Sequence, residues 1–385
     1  MRRFILQPLA KGRATRRAFG ALAVLWALFP RTPACAEQED PVIEEKPLSQ
    51  WLKQLRSDNR GFQLRAAQAL SKATAQQLPA IVPQVAPLLK SDRENDRFVA
   101  AQTLGNYGPA ARAAVADLIP LLEGTQFERN RAAAAKALGQ ILKDAEPGEE
   151  VEKVAQALTR KINEDWDKYG DVRREAAYAL GMIGPAAKSC VPKLTRVLDD
   201  RPPSNMEAAL ARKAAAWTCG RMGPLAAEQV DRLISLMHSD DHGAAPESVE
   251  ALGLIGLVHE NVLLNIMDRL EGYMESGWGL DFRIKAFEAL AQLGHKAAAA
   301  VPLLRRCLRR LDNTGDKGLK MRLALLKALA AIGPAAKEAA PEIEAHLHKP
   351  VGGQVADFTE EEEAAARAYK AVTGNDPPKN KPAGK

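Results

Sequence analysis

Apolar positions along most of this chain recur at i, i+3, i+4 and i+7, the spacing that places side chains on one face of an α-helix. Residues 173–198, RREAAYALGMIGPAAKSCVPKLTRVL, show it in its fullest form. A first apolar stripe stops at Gly184-Pro185, and a second begins with Val191, Leu194, Val197 and Leu198. With Leu180 as the anchor, equivalent surroundings recur at Leu70, Leu104, Leu138, Cys219, Leu252, Leu290 and Leu329, at intervals of 33 to 42 residues. A period in that range predicts stacked helical pairs.

The residues around each anchor specify how the pairs meet. The position before the anchor is always small (Ala69, Thr103, Ala137, Ala179, Thr218, Ala251, Ala289, Ala328), and so is the position after it, which is Gly in five copies. Small residues flanking a large apolar one let a neighbouring helix come close while the Leu fills the gap. Gly inside a helix costs up to about 1 kcal/mol relative to Ala, so close packing is the reason to keep it. Four residues after the anchor, Gly108, Gly184, Gly223, Gly256, Gly294 and Gly333 mark the stop, with Pro directly after four of them. Gly takes the left-handed conformation that ends a helix, and Pro cannot continue one. Pro192, Pro302 and Pro341 then suit the first turn of the second helix.

The unit resembles a HEAT repeat, of the short bacterial kind also called lyase-type HEAT-like repeats. GPAARAAVADLIPLL at 108–122, GPAAKSCVPKLTRVL at 184–198 and GPAAKEAAPEIEAHL at 333–347 carry the likeness. It implies an all-α fold, a right-handed α-α superhelix of about eight helix-pair repeats over residues 47–349, in which second helices line the concave side. Residues 47–57 match the end of a second helix and are read as a half-repeat capping the stack. Residues 37–46 form a flexible lead. Residues 350–374 hold a linker and a separate helix with Thr359 as its cap, and 375–385 a disordered Pro/Lys-rich tail.

Residues 1–36 carry seven basic residues and no acidic one, with an apolar run at 18–29 and Ala34-Cys35-Ala36 at its end. A charged start, an apolar middle and a small-x-small cut site describe a cleaved export signal, with Ala34 and Ala36 flanking the cleavage position. The apolar run is too short for a stable membrane span. Thr15-Arg16-Arg17-Ala18-Phe19 resembles the twin-arginine export motif, and the general secretory route is the alternative. A further alternative is a lipid-anchored envelope protein modified at Cys35. The whole chain has 54 basic and 48 acidic residues, net +6; removing the signal leaves 47 against 48. The basic balance therefore belongs to the signal, and the mature chain gives no case for nucleic acid.

Several residues are candidates for chemistry or contact. Arg recurs seven residues before the anchor, at Arg97, Arg131, Arg173, Arg212, Arg283 and Arg322, and is read as a structural ladder toward the adjacent repeat. Arg305, Arg306, Arg309 and Arg310 share a second helix and form a candidate anionic docking patch, a solvated helix face being the alternative. Trp166 and Tyr169, and Tyr273 and Trp278, lie in two irregular connections, where they either anchor a partner or fold down over bare repeat ends. His238 and His242 flank two aspartates, too few ligands in too loose a loop for a metal site. Cys190, Cys219 and Cys307 are read as small buried apolar groups. HEAT-like bilin lyases and deoxyhypusine hydroxylase, a di-iron oxidoreductase, share the repeat. The single pair His259-Glu260 cannot assemble the hydroxylase ligand set, which needs several such pairs.

No catalytic, cofactor-binding or metal-binding constellation emerges. The expectation is an exported, monomeric, non-enzymatic scaffold of the periplasm or cell envelope that binds another protein or peptide on a curved surface. An enzyme or enzyme accessory resembling HEAT-like lyases or oxidoreductases is the alternative.

Overall fold

Glycine sets the corners of this fold. In the computed structural model, all six glycines four residues past the anchor have positive φ, between +55° and +74°. At Gly294 the pair is φ +58°, ψ −135°, a region that a side chain excludes. The structure describes residues 40–124, 127–164, 170–199, 206–239, 243–256, 260–276, 279–311, 315–347 and 355–378. All described elements lie in one compact unit, residues 42–385.

Helices in chain order are α1 (Leu48–Leu55), α2 (Arg60–Leu70), α3 (Leu78–Val85), α4 (Glu94–Asn106), α5 (Val115–Glu123) and α6 (Glu128–Ile141). Then come α7 (Glu149–Glu164), α8 (Gly170–Ile183), α9 (Val191–Leu198), α10 (Met206–Met222), α11 (Val230–Met237) and α12 (Ala245–Ile255). The last six are α13 (Glu260–Ser276), α14 (Leu280–Leu293), α15 (Val301–Arg310), α16 (Gly315–Ile332), α17 (Ala340–Glu344) and α18 (Val355–Thr373). Even-numbered helices are the first helices of the repeats and odd-numbered ones the second. Each even helix packs on the next even helix, from α2 to α18, and the odd helices stack beside them. The result is the right-handed all-α superhelix that the repeat pattern predicts, with one continuous apolar core between two helix layers.

The even layer is close to backbone contact. A Cβ added at Gly139 would lie 2.5 Å from Ala179 Cα, and one at Gly253 would lie 2.6 Å from Ala289 Cα. At Gly105 the corresponding distance to Ala137 Cα is 3.0 Å. The small residue after one anchor thus seats the small residue before the next. The anchors Leu70, Leu104, Leu138, Leu180, Cys219, Leu290 and Leu329 are fully buried between these contacts.

The arginine ladder is structural. Arg97 donates to the Ser91 carbonyl at 2.5 Å, Arg131 to Gly124 at 3.3 Å and Arg173 to Ile162 at 3.1 Å. Each acceptor is at or near the C-terminus of the preceding second helix, where carbonyls lack helical partners and the dipole favours a cation. Arg322 departs from the pattern and pairs with Glu361 of α18 through two 2.9 Å contacts.

Both ends differ from the sequence expectation. Within the segment read as a flexible lead, β1 (Val42–Ile43) and β2 (Lys46–Pro47) form an antiparallel hairpin. Trp51 of α1 donates to the Ile43 carbonyl at 2.7 Å, and Ile43 is buried. The hairpin covers the half-repeat, whose outer side has no helix pair beyond it among the described residues. At the other end α18, expected as a separate helix, packs on α16 and α17 as the ninth member of the even layer. His346 Nδ1 lies 2.7 Å from Glu361 Oε1, so Glu361 joins α18 to both Arg322 and His346, all three buried. Burial opposes ionisation of Glu361, yet His346 and Arg322 overcome it and hold the carboxyl at about 2. Residues 379–385 of the expected disordered tail lie outside the described residues.

Two outcomes follow for stability. Gly139→Ala must push the α6 and α8 backbones apart and is expected to lower the urea midpoint by the equivalent of about 1–3 kcal/mol. Gly272→Ala in α13, where an added Cβ meets nothing within 4 Å, is expected to stabilise by up to about 1 kcal/mol. Equal losses from both would sink the close-contact account. For Glu361 the folded pKa is depressed, so its stabilising contribution of roughly 3 kcal/mol is present above pH ~4.5 and disappears as pH falls toward ~2. Hydrogen-exchange protection factors across α18, which are corrected for the intrinsic pH dependence of exchange, should fall over that window in the wild type. In Glu361→Gln they should be low already at pH 7.

Candidate functional site

The even layer carries an opening lined by side chains of four successive first helices. A groove of about 810 Å³ runs across α2, α4, α6 and α8, from Leu64 to Glu175. The groove opens on first helices, whereas the resemblance places the second helices on the concave side.

Its floor is laid down by helix periodicity. Positions six and two residues before the anchor, and two after it, project away from the core on the same side of each even helix. On α2, which ends before the third position, these are Leu64 and Gln68; on α4, Phe98, Gln102 and Asn106; on α6, Ala132, Lys136 and Gln140. The Arg129 guanidinium stacks 3.5 Å from the centre of the Phe98 ring. Partial burial and neighbouring Arg60 lower the Arg129 pKa, against a smaller opposing effect of Glu94. At the far wall Arg174 pairs with Asp171 at 2.5 Å and Glu175 at 3.0 Å. Burial works against its charge, but these two carboxylates outweigh burial and raise its pKa.

Beyond the groove the same layer is closed by its own charges. Lys285 of α14 holds Glu247 at 3.1 Å and Glu250 at 2.5 Å, and Lys213 of α10 reaches Glu247 at 3.3 Å. Tyr178 of α8 and Trp217 of α10 meet edge to face with centroids 5.5 Å apart.

The odd layer spends its charges on itself. Lys90 pairs with Asp117 at 2.7 Å, Arg112 with Glu150 at 2.7 Å and Arg232 with Asp199 at 3.0 Å; Arg160 pairs with Glu123. Every one of these joins successive repeats. The α15 arginines belong to the same system. Arg305 contacts Glu342 at 3.1 Å and Glu338 at 3.3 Å, Arg309 contacts Glu342 at 2.9 Å, and Arg306 contacts Glu271 of α13 at 2.6 Å. Arg310 is exposed at the end of α15. Charge on this helix is thereby balanced by acids on both flanking second helices, a pairing that sequence separations of 33 to 37 residues concealed.

The remaining sequence candidates disperse. Tyr273 is not in an exposed connection: it lies within α13, buried, with its ring 4.7 Å from Phe282 and under the Arg269 guanidinium. Gly279 closes over that ring, where an added Cβ would meet Tyr273 at 2.5 Å. Trp166, Tyr169, Trp278, Ala34 and Ala36 lie outside the described residues. His238 Nε2 is 2.8 Å from Asn265 Oδ1; His242 lies outside the described residues. Cys190, Cys219 and Cys307 are buried free thiols, and burial raises all three pKa values, that of Cys190 to about 12 and that of Cys307 to about 11. No grouping of three or more His, Cys, Asp or Glu suited to a metal is present among the described residues. Nor is any described helix long and apolar enough to cross a membrane.

Comparison with known proteins bears on the family and the fold. The HEAT-repeat family matches in three overlapping stretches, residues 48–139, 82–170 and 115–212. Comparison with curated protein sequences found no match. Among solved structures, importin β crystallised in an ammonium sulfate condition aligns with a TM-score of 0.62 at 15% identity, over 87% of this chain and 48% of that one. Yeast importin-β, Kap95p, aligns with a TM-score of 0.53 at 14% identity, over 86% of this chain and 58% of that one. An engineered protein aligns with a TM-score of 0.50 at 21% identity, over 84% and 88% of the two chains. This chain therefore spans about half the length of the importin-β chains that it resembles, and at such identities the likeness establishes the fold alone. The periodic anchors, the glycine corners, the stacked helix pairs and the family match agree: the chain is a HEAT-repeat protein.

Proposed function

We propose that this protein is an exported, non-enzymatic scaffold that binds another protein in the groove across α2, α4, α6 and α8. One contrast carries the reading. Ion pairs on the odd face join successive repeats, whereas the side chains of Gln68, Gln102, Asn106, Lys136 and Gln140 in the groove have no hydrogen-bond or ion-pair partner among the described residues. A preformed groove keeps its shape through the repeat core and leaves its lining to the partner, so little ordering is needed on binding. The protein acts as a monomer, without nucleic acid. Residues 1–36 direct it to the periplasm or cell envelope and are removed after Ala36.

The test is in-host crosslinking of the tagged chain with its signal intact. Wild type and Arg306→Glu should recover the same partner at near-equal amounts, while Gln68→Arg with Gln102→Arg should lose about tenfold or more. The opposite pattern, loss with Arg306→Glu alone, moves the partner to the second-helix face and ends the groove assignment. The mass of the purified chain should begin at Glu37; a lipid-modified Cys35 at the N-terminus would replace the free export product with an anchored one.

A further inference from the structure

We infer that the groove takes an extended, unfolded stretch of polypeptide and reads its backbone. This inference rests on the scaffold reading and specifies the occupant.

The first ground is hydrogen-bond chemistry. Gln68, Gln102 and Asn106 are exposed, Gln140 is half-buried, and none of the four carboxamides has a partner within the chain among the described residues. A carboxamide offers two donors and an acceptor in one plane, which matches the N–H and C=O of a peptide group. Folded domains and helices satisfy those backbone groups internally; an extended segment leaves them open. A row of carboxamides therefore complements an extended chain better than it complements any folded surface.

The second ground is charge. Groove cations Arg129, Lys136 and Arg174 are matched by Glu128, Asp171 and Glu175. A phosphate backbone needs an excess of positive charge, and a strongly basic segment would need the reverse. The balanced lining complements a neutral, polar occupant, which is what a peptide backbone is.

The third ground is spacing. Packed helices lie about 8–10 Å apart, and an extended chain in the polyproline II conformation rises about 3.1 Å per residue with three residues per turn, so one helix step matches one turn of about three residues. Carboxamides on α2, α4 and α6 then meet every third peptide group, and the groove from α2 to α8 accommodates about nine residues. Leu64 and Phe98, the latter capped by Arg129, supply an apolar floor for one side chain of the occupant.

The experiment pans a phage library of random linear 15-residue peptides against the full purified chain. The tightest peptide is then synthesised, together with versions N-methylated on the backbone at every third residue in each of the three registers. Expected is binding that falls about tenfold or more in Gln102→Leu and in Asn106→Leu, with thermal midpoints unchanged. One N-methyl register should lose a similar factor, while the others stay within about twofold. Failure to enrich any linear peptide overturns the inference, as does a peptide whose affinity ignores all three N-methyl registers. Should no linear peptide bind while Gln68→Arg with Gln102→Arg still abolishes partner recovery in the host, the scaffold reading stands and the extended occupant falls.

Discussion

The contact between the glycine after one anchor and the alanine before the next is the constraint on which the rest of the structure depends. At α6–α8 and α12–α14 the two backbones meet so closely that a single added methyl group would reach 2.5–2.6 Å from the facing Cα. Two helices held at that distance exclude water and large side chains between them, so the anchor residues beside the contact pack into a dry gap. Nothing comparable holds the odd layer. Its helices are spaced by Leu, Val and Ile side chains and tied by longer polar groups, such as the buried Gln229 that donates to Val191 at 3.0 Å.

Two other requirements complete the architecture. Second helices end in carbonyls without helical partners, and at three of them an arginine from the following first helix, Arg97, Arg131 or Arg173, reaches back. The last arginine in the series has another task. Arg322 turns to Glu361, where a cation, a carboxylate and an imidazole from three helices meet in a buried cluster. Removing one member of such a cluster leaves the others buried and uncompensated, which makes the docking of α18 sensitive to a single carboxylate. The first end is closed more simply, by a two-residue-per-strand hairpin anchored on Trp51.

Function follows from how the two faces use their polar groups. Ion pairs on the odd face link several successive repeats; being solvent-exposed, each contributes modestly to stability. The even face divides in two. From α10 to α14 Lys213, Lys285, Glu247 and Glu250 satisfy one another, whereas from α2 to α6 the carboxamides and Lys136 face the groove without partners among the described residues. A binding face on a solenoid is recognisable by this absence of internal use, since side chains that stack repeats are occupied by stacking.

By itself the sequence determined the repeat, the helix pairs, the glycine corners and the role of the arginine ladder. These are local properties: a period, a small–large–small triplet, or a residue type that only one backbone conformation admits, as at Gly184 or Gly294. What it left open depends on partners more than thirty residues away. Arg305, Arg306 and Arg309 look like a free basic patch along the chain, and only the stacking of α13, α15 and α17 brings Glu271, Glu338 and Glu342 against them. Tyr273 reads as a loop aromatic until α13 extends past it and Phe282 covers its ring. The groove was equally out of reach, because its lining comes from four helices, α2, α4, α6 and α8, whose side chains meet only once the even layer has packed.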